Sequence, residues 1–340
     1  MDRLQKYIIN NLSILFLSIF LPLFAIASII FLIKLATYTA VIQLSIWEMA
    51  KLYFFVLPEV LFFTLPISFF AAATLTLFRL STDNEVVVLF ALGIHPKFII
   101  RTLFIPALFL SVILALNFFL LFPHAKTLSK NFLSYKKSEA KFNLSASEFG
   151  HSFGDWLLYV GKNNVDGTYG DVFLFKKKKE EEEILIGAKK AQIINDGGIL
   201  RLKLTNGEGY SYSKDKFSQI NFKTMHINDT MTTKLITYKS AIDYWKTDNK
   251  RHIKRRMLIT NTLLSLFPLL SLFLVASIGI VHVRHQKGKV YLYLFLSIVV
   301  FYGAALGLQK LFLYYTIPIV AITWIIATYT IYKKTILARF

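Results

Sequence analysis

The chain has 340 residues, enough for about two domains of ~150 residues each, but its composition excludes an ordinary soluble pair. Hydrophobic residues make up 55% of it and charged residues only 17%, against ~25% in a soluble domain, and the mean hydropathy is +0.53. The 39 Lys+Arg outnumber the 20 Asp+Glu, giving a formal charge of +19. These charges fall between long apolar runs, which points to an anionic membrane or lipid rather than nucleic acid. There is no Cys, so disulfide frameworks, thiol catalysis and Cys-ligated zinc or iron–sulfur sites are excluded.

In chain order, the first apolar run is 7–33. It is too long for the apolar core of a signal peptide and has no small-residue cleavage site after it, so an uncleaved anchor is expected. Runs 52–78 (interrupted only by Glu59) and 102–123 follow. Runs 257–283, 290–309 and 311–332 close the chain. About 20 apolar residues in a helix cross a ~30 Å hydrocarbon core, so six spans are predicted. Leu306-Gly-Leu-Gln-Lys310 divides the last two into a tight hairpin.

Residues 124–253 have a different character, with 22 Lys+Arg against 15 Asp+Glu. Short β-type runs appear at Trp156-Leu-Leu-Tyr-Val160, Asp171-Val-Phe-Leu-Phe175, Glu183-Ile-Leu-Ile186 and Ile199-Leu-Arg-Leu-Lys-Leu204, with a less regular one over 217–223. Turn signals separate them at Asp166-Gly167, Asn195-Asp-Gly-Gly198 and Asn206-Gly207. The four lysines 176–179 followed by the four glutamates 180–183 read as an exposed hairpin tip with local charge pairing. The fold class is therefore an α-helical membrane protein with six transmembrane helices and an inserted all-β domain of sandwich or jelly-roll type. Its parts are 1–123, 124–253 and 254–340.

An even number of spans puts both termini on one side. That side carries eleven basic residues near span ends and in short loops, against three opposite: Lys34, Lys51 and Lys310. The positive-inside rule makes the termini cytoplasmic and exports the β domain. The basic flanks of that domain, such as Lys136, Lys137, Arg255 and Arg256, oppose this, but long domains translocate largely regardless of charge.

The cytoplasmic loop 79–97 is the most informative stretch. Thr82 and Glu85 have capping-box spacing, with Thr82 as N-cap and Glu85 three residues in. Gly93 suits a left-handed C-terminal position, and Pro96 stops the helix soon after. A short helix over 83–92 is predicted, with the acids Asp83 and Glu85 at its positive end. It is too short to span, so it lies along the membrane or docks into a partner. Glu85 could simply cap the helix while Val86, Leu89 and Phe90 cover neighbouring spans. It could instead serve a coupling helix, the handle that a transporter without its own motor offers to a nucleotide-driven partner.

With this loop in place, the chain resembles the lipopolysaccharide-export permeases of the LptF/LptG (YjgP/YjgQ) family over nearly its whole length. The resemblance rests on three spans on either side of an inserted β domain, and on local matches. Pro58-Glu59 opens the second span, and Leu65-Pro66-Ile-Ser68 lies midway along it. Glu85, Ala91 and Gly93 sit in the loop. Gly167-Thr-Tyr-Gly-Asp-Val-Phe-Leu174 lies in the β domain, and Arg284-His-Gln-Lys-Gly-Lys289 joins spans four and five. Pro58-Glu59 and the β-domain match lean toward the LptF branch. The resemblance implies a heterodimer with a second permease of the family, two copies of a cytoplasmic ABC ATPase, and extraction of lipopolysaccharide from the inner membrane. It also implies a jelly-roll domain that hands the lipid to a periplasmic bridge protein of jelly-roll type. Thr82, Asp83, Glu85 and Gly93 would form the ATPase-coupling site, since the family's matching loop glutamate contacts the ATPase.

Lys34 ends the first span on the exported side. It can snorkel to the interface, or meet a lipid A phosphate there. A basic residue matching it lies near the substrate cavity in the family. Glu59 lies near the same face, and intramembrane carboxylates are usually paired. Either Lys34 or packing at the Pro58 kink can account for it. The basic cluster 250–256 reads as a membrane anchor or as an attractor of the anionic headgroup.

No Gly-x-x-x-x-Gly-Lys-[Ser/Thr] loop is present, so this chain should not hydrolyse ATP; the resemblance implies that a separate subunit does, and no cofactor is expected. His282 and His285 are three apart with no carboxylate near, so no metal site is expected. No Ser sits in a Gly-x-Ser-x-Gly elbow. The alternative is a membrane-anchored periplasmic enzyme acting on lipid-linked saccharides. It would need convergent acids among Glu148, Asp155, Asp166 and Asp171, which sit at turns or strand ends.

Overall fold

The structure is a computed structural model that describes residues 2–39, 44–141, 149–153, 156–164, 167–178, 182–196, 199–213, 216–228, 240–246, 251–280 and 289–338. The chain divides into a helical unit (1–34, 50–127 and 238–340) and a second unit (35–49 and 128–237).

The helices in chain order are α1 (Asp2–Thr39), α2 (Ile46–Thr82), α3 (Glu85–Ala91), α4 (Lys97–Leu116), α5 (Phe122–Lys141), α6 (Ala241–Lys246), α7 (Arg251–Leu270), α8 (Leu272–Gly279), α9 (Lys289–Phe312) and α10 (Thr316–Tyr332). Among the described residues four helical stretches are long and apolar enough to cross a membrane, and five if α7 and α8, bent by 48° at their junction, form one span. The stretch Lys289–Leu337 counts once by length. It nevertheless reverses at a 3₁₀ turn, Leu313–Tyr315. The Phe301 and Trp324 rings lie 5.0 Å apart across the reversal, and Thr316 Oγ1 donates to the Leu308 carbonyl at 3.2 Å. The reversal falls beyond Lys310, a few residues later than the break over 306–310 read from the sequence.

Three physical devices hold the helical unit. The first is aromatic packing: Phe267 lies 5.1 Å from Phe70 and 4.6 Å from Phe301, joining α2, α7 and α9. The second is backbone approach at Gly279. A Cβ there would stand 2.7 Å from the Thr74 carbonyl oxygen and 2.7 Å from Leu77 Cβ. Small residues let membrane helices approach this closely. The third is a set of polar links between helices. Thr260 Oγ1 donates to Gln309 Oε1 at 2.7 Å, both residues being buried. Asn117 Nδ2 donates to the Pro58 carbonyl at 3.1 Å. Asn117 opens a π-helical turn, Asn117–Leu121, between α4 and α5. Trp245 docks on that turn, with its indole N–H on the Phe119 carbonyl at 3.3 Å and its ring 4.8 Å from Phe118.

Hydrogen bonds between membrane helices contribute ~0.6 kcal/mol on average and up to ~2 kcal/mol. Gln309→Leu should therefore lower the unfolding midpoint in detergent modestly. Gln309→Glu should do more damage, because it buries a charge. A midpoint unchanged in both variants would mean that this link carries no weight.

The second unit holds six antiparallel strands in sequential order. They are β1 (Phe149–Phe153), β2 (Trp156–Asn163), β3 (Tyr169–Lys178), β4 (Glu182–Asp196), β5 (Ile199–Ser213) and β6 (Lys216–Asn228). All five β-type runs read from the sequence lie in β2 to β6. The expected antiparallel character holds. The described strands run as a meander, however, without the crossovers of a jelly roll. The charged hairpin also forms, with Lys177 opposite Glu183 and Lys178 opposite Glu182.

Asn206-Gly207 does not make the predicted turn, because both residues lie inside β5. Asn206 has φ 53, and Asp171 on β3 has φ 54. With Gly161, Lys189 and Lys223 these residues drop out of the ladders in a line across five strands, while the register continues on either side. Along this line the alternation of side chains changes phase. Ile186 and Ala188 face the apolar cluster before it and Ala191 after it, an odd step apart. This fault explains why the period-two pattern reads less regularly there, and one turn signal marks the fault instead of a chain reversal.

Glu48 and Lys136 form an ion pair of 2.6 Å within the second unit. The Glu208 carboxylate accepts a hydrogen bond from the Tyr210 hydroxyl and raises its pKa above the ordinary phenol value, and burial does the same for Tyr169.

Candidate functional site

The loop between α2 and α4 is built by two left-handed residues. Thr82 is the last residue of α2 and not an N-cap: its Oγ1 donates back to the Arg79 carbonyl at 2.8 Å. The predicted capping box is therefore corrected. Thr82 lies within α2, the cap position of the next helix falls to Asn84, and no side chain caps it. The reversal comes from Asn84, with φ 60, a conformation that Asn tolerates better than most residues. The short helix consequently starts at Glu85 rather than at 83. Asp83 lies in the turn, its carboxylate 4.0 Å from Arg79 and well exposed, an arrangement that contributes little stability.

The far end follows the expectation. Gly93 has φ 84. Its N–H donates to the Phe90 carbonyl at 3.0 Å, and the Ile94 N–H donates to that of Leu89 at 3.1 Å. This is a Schellman motif, which satisfies two helix-end carbonyls. A Cβ at Gly93 would meet nothing within 4 Å, so a substitution acts through backbone conformation alone. Gly93→Ala should cost about 1–2 kcal/mol of local stability, and Gly93→Asn less. Hydrogen exchange over 85–94 would show it. Equal protection in wild type and Gly93→Ala would refute the motif's role.

Glu85 is half-buried at the first position of α3. Its carboxylate accepts the Tyr7 hydroxyl at 3.0 Å, which pins the start of α3 to the start of α1. The buried Val86 anchors the next residue in the core. The outer surface stays open: Val88 is 55% and Leu92 74% exposed. A cleft of about 310 Å³ runs between Leu4 on α1 and the segment 83–89. The loop is thus a small rigid platform with an acidic edge and an apolar top. It is rigid because both ends and one face are fixed, and accessible because the remaining face is bare.

The two residues read as lipid-facing are not brought together. Lys34 is exposed on α1 beside the buried Leu35, and Glu59 is half-buried on α2. No ion pair joins them among the described residues. The basic cluster 250–256 is partly engaged within its own unit. Lys254 Nζ donates to the Tyr244 carbonyl at 2.6 Å and sits over that ring, and the Arg255 guanidinium lies 5.7 Å from the Tyr314 ring centre. Of the acids that an enzyme would need, Asp171 is paired with Lys162 at 3.6 Å. Glu148, Asp155 and Asp166 lie outside the described residues, as do His282 and His285. Among the described residues no group of three His, Asp or Glu could hold a metal ion.

Residue-by-residue reading missed Tyr7, whose partner lies 78 positions away. It also missed Gly303 and Gly307, four apart on α9, where added Cβ atoms would meet open space. The Gly-x-x-x-Gly spacing in an apolar helix, a known helix-pairing pattern, would have found them.

Long apolar helices, an inserted antiparallel sheet and a short, braced helix define a multi-pass membrane protein with a polar insert. The family of lipopolysaccharide export system permeases LptF/LptG matches residues 6–331, and the chain belongs to that family. No curated protein is matched by its sequence. Membership makes the chain a transmembrane lipopolysaccharide-transport permease, not an enzyme.

Proposed function

We propose that this chain is one permease subunit of an ATP-driven lipopolysaccharide extractor and is moved by a separate cytoplasmic ATPase that grips α3. The single observation that carries this reading is the braced platform at 82–94. A force applied to Asp83, Glu85, Val88 and Leu92 passes to α1 through Tyr7 and to the core through Val86. A floppy loop would absorb that force.

Counting α7–α8 as one span and the α9–α10 hairpin as two gives six passes, so both termini share one side with α3; by the positive-inside rule that side is the cytoplasm and the sheet is periplasmic. There the six-stranded antiparallel sheet passes the lipid to a periplasmic bridge. A second permease of the same family completes the pair. Only 6% of the most apolar window of α1 is buried, and the open Gly303–Gly307 face of α9 suits close approach by a partner helix. Lys34, exposed on α1 at the exported end, takes a lipid A phosphate.

The test is affinity purification in mild detergent with identification of co-eluting proteins and lipid. A second permease, an ATPase and lipopolysaccharide are the expected companions. A chain that elutes alone, or that moves glycolipid when reconstituted without them, contradicts the proposal. Lys34→Ala is expected to lower lipid-stimulated transport several-fold at unchanged abundance, about 1 kcal/mol per basic residue near an anionic surface. An equal fall in abundance would assign Lys34 to snorkelling alone.

A further inference from the structure

A second cavity lies away from α3 and is walled by α8, α9 and α10. It encloses about 610 Å³, within the ~300–1,000 Å³ range of ligand pockets. Leu274, Tyr293, Val300, Trp324 and Ala327 line it, with Lys289 at one end. Of the five hydroxyl side chains in the lining, four give their protons to their own helices. Ser277, Ser297, Thr328 and Thr335 donate to the carbonyls of Phe273, Tyr293, Trp324 and Ile331 on their own helices. The lining is predominantly apolar and suits an acyl chain better than a sugar or a nucleotide.

The entrance has the opposite chemistry. Lys289, a lining residue, is exposed at the first residue of α9; Lys333 and Lys334, exposed just beyond α10, are its neighbours in charge but do not line the cavity. No Asp or Glu follows Asp248 in the sequence, so no carboxylate of this segment competes for these ammonium groups. The entrance lies toward the α3 end of the helical unit. Gly279, the last residue of α8, packs on Thr74 and Leu77 near the end of α2, and α3 follows directly.

We propose that this groove is a binding site for one acyl chain of an anionic phospholipid, with its phosphate held by Lys289 and its tail along the α9–α10 hairpin. An apolar slot takes the tail, and the ammonium group of Lys289 takes the head. The lipid comes from the leaflet on the α3 side. It is a resident of the helical unit and not the exported substrate, whose headgroup lies in the opposite leaflet in the proposed orientation.

The full chain in phosphatidylcholine nanodiscs, doped with diazirine-tailed phosphatidylglycerol or diazirine-tailed phosphatidylcholine, provides the test, with labelled peptides mapped by mass spectrometry. Phosphatidylglycerol is expected to label the groove segments of α8 and α10 about five-fold more than phosphatidylcholine, the preference of ~1 kcal/mol per interfacial basic residue. Lys289→Gln, an exposed change that leaves the fold intact, is expected to bring the two lipids level. Ala327→Trp should block the slot and remove groove labelling by both lipids while labelling of α1 persists. Labelling spread equally over α1 and the groove overturns the proposal. So does a Lys289→Gln profile identical to wild type, or loss of groove labelling when a partner permease is co-reconstituted, which would make the occupant a protein helix.

Discussion

Glu85→Ala is expected to weaken retention of the cytoplasmic ATPase by about thirty-fold or more, the ~2 kcal/mol that marks a hot-spot residue at an interface, and to stop transport. The sheet should remain folded, because Glu85 lies in the helical unit, where it accepts the Tyr7 hydroxyl. Two further variants separate docking from bracing. Tyr7→Phe removes the tether and keeps the carboxylate. The lost bond contributes roughly 0.5–1.5 kcal/mol, nearer the lower value because Tyr7 is 44% exposed, so a few-fold effect is expected. Glu85→Gln keeps an acceptor for Tyr7 and loses the charge, so it should resemble Glu85→Ala if the ATPase offers a cation. Retention equal to wild type in Glu85→Ala would remove the coupling role. An effect of Tyr7→Phe as large as that of Glu85→Ala would reduce Glu85 to a brace.

Gly279→Ala is expected to destabilise the helical unit by about 1–3 kcal/mol, the usual cost of overpacking. A single methyl suffices, because the added Cβ is itself the clashing atom. It would stand 2.7 Å from the Thr74 carbonyl oxygen, which is backbone and cannot rotate aside. Relief requires moving α8 off α2, and the buried aromatic stack around Phe70 and Phe267 resists that motion. Gly303→Ala and Gly307→Ala provide the contrast. Their new methyls meet open space, and Ala is a better helix former than Gly by ~1 kcal/mol. The isolated chain should keep or gain stability, while its yield in complex with a second permease falls. An unfolding midpoint unchanged by Gly279→Ala would disprove the close crossing.

Much of the loop was legible in the sequence. Gly93 and Pro96 mark a helix end by backbone conformation alone, and the structure has the end there. The start was misread because Thr82 can cap the next helix or bond its own, and spacing does not distinguish the two. Asn84 was the better signal, since a left-handed residue breaks the continuity of α2. In the sheet, the charge-complementary hairpin and the five β-type runs were legible, because alternation and cross-strand charge pairing are local. The phase change through Asp171 and Asn206 was not, because it needs neighbouring strands that share one fault line. The pairing of Lys34 with Glu59 failed for a similar reason: nearness in predicted depth does not set the rotation of a helix about its axis.

By itself the sequence determined that this is a multi-pass membrane protein with a polar insert after its third apolar run, and where its short helix between the second and third runs ends. Those properties follow from run lengths, hydropathy and backbone preference, which act over a few residues. Only the tertiary structure decided that Glu85 reaches Tyr7, that Gly279 lies against the backbone of α2, and that three helices enclose an apolar slot with a cationic entrance. These depend on which faces of distant helices meet, and uniformly apolar helices carry almost no periodic signal to say which face that is.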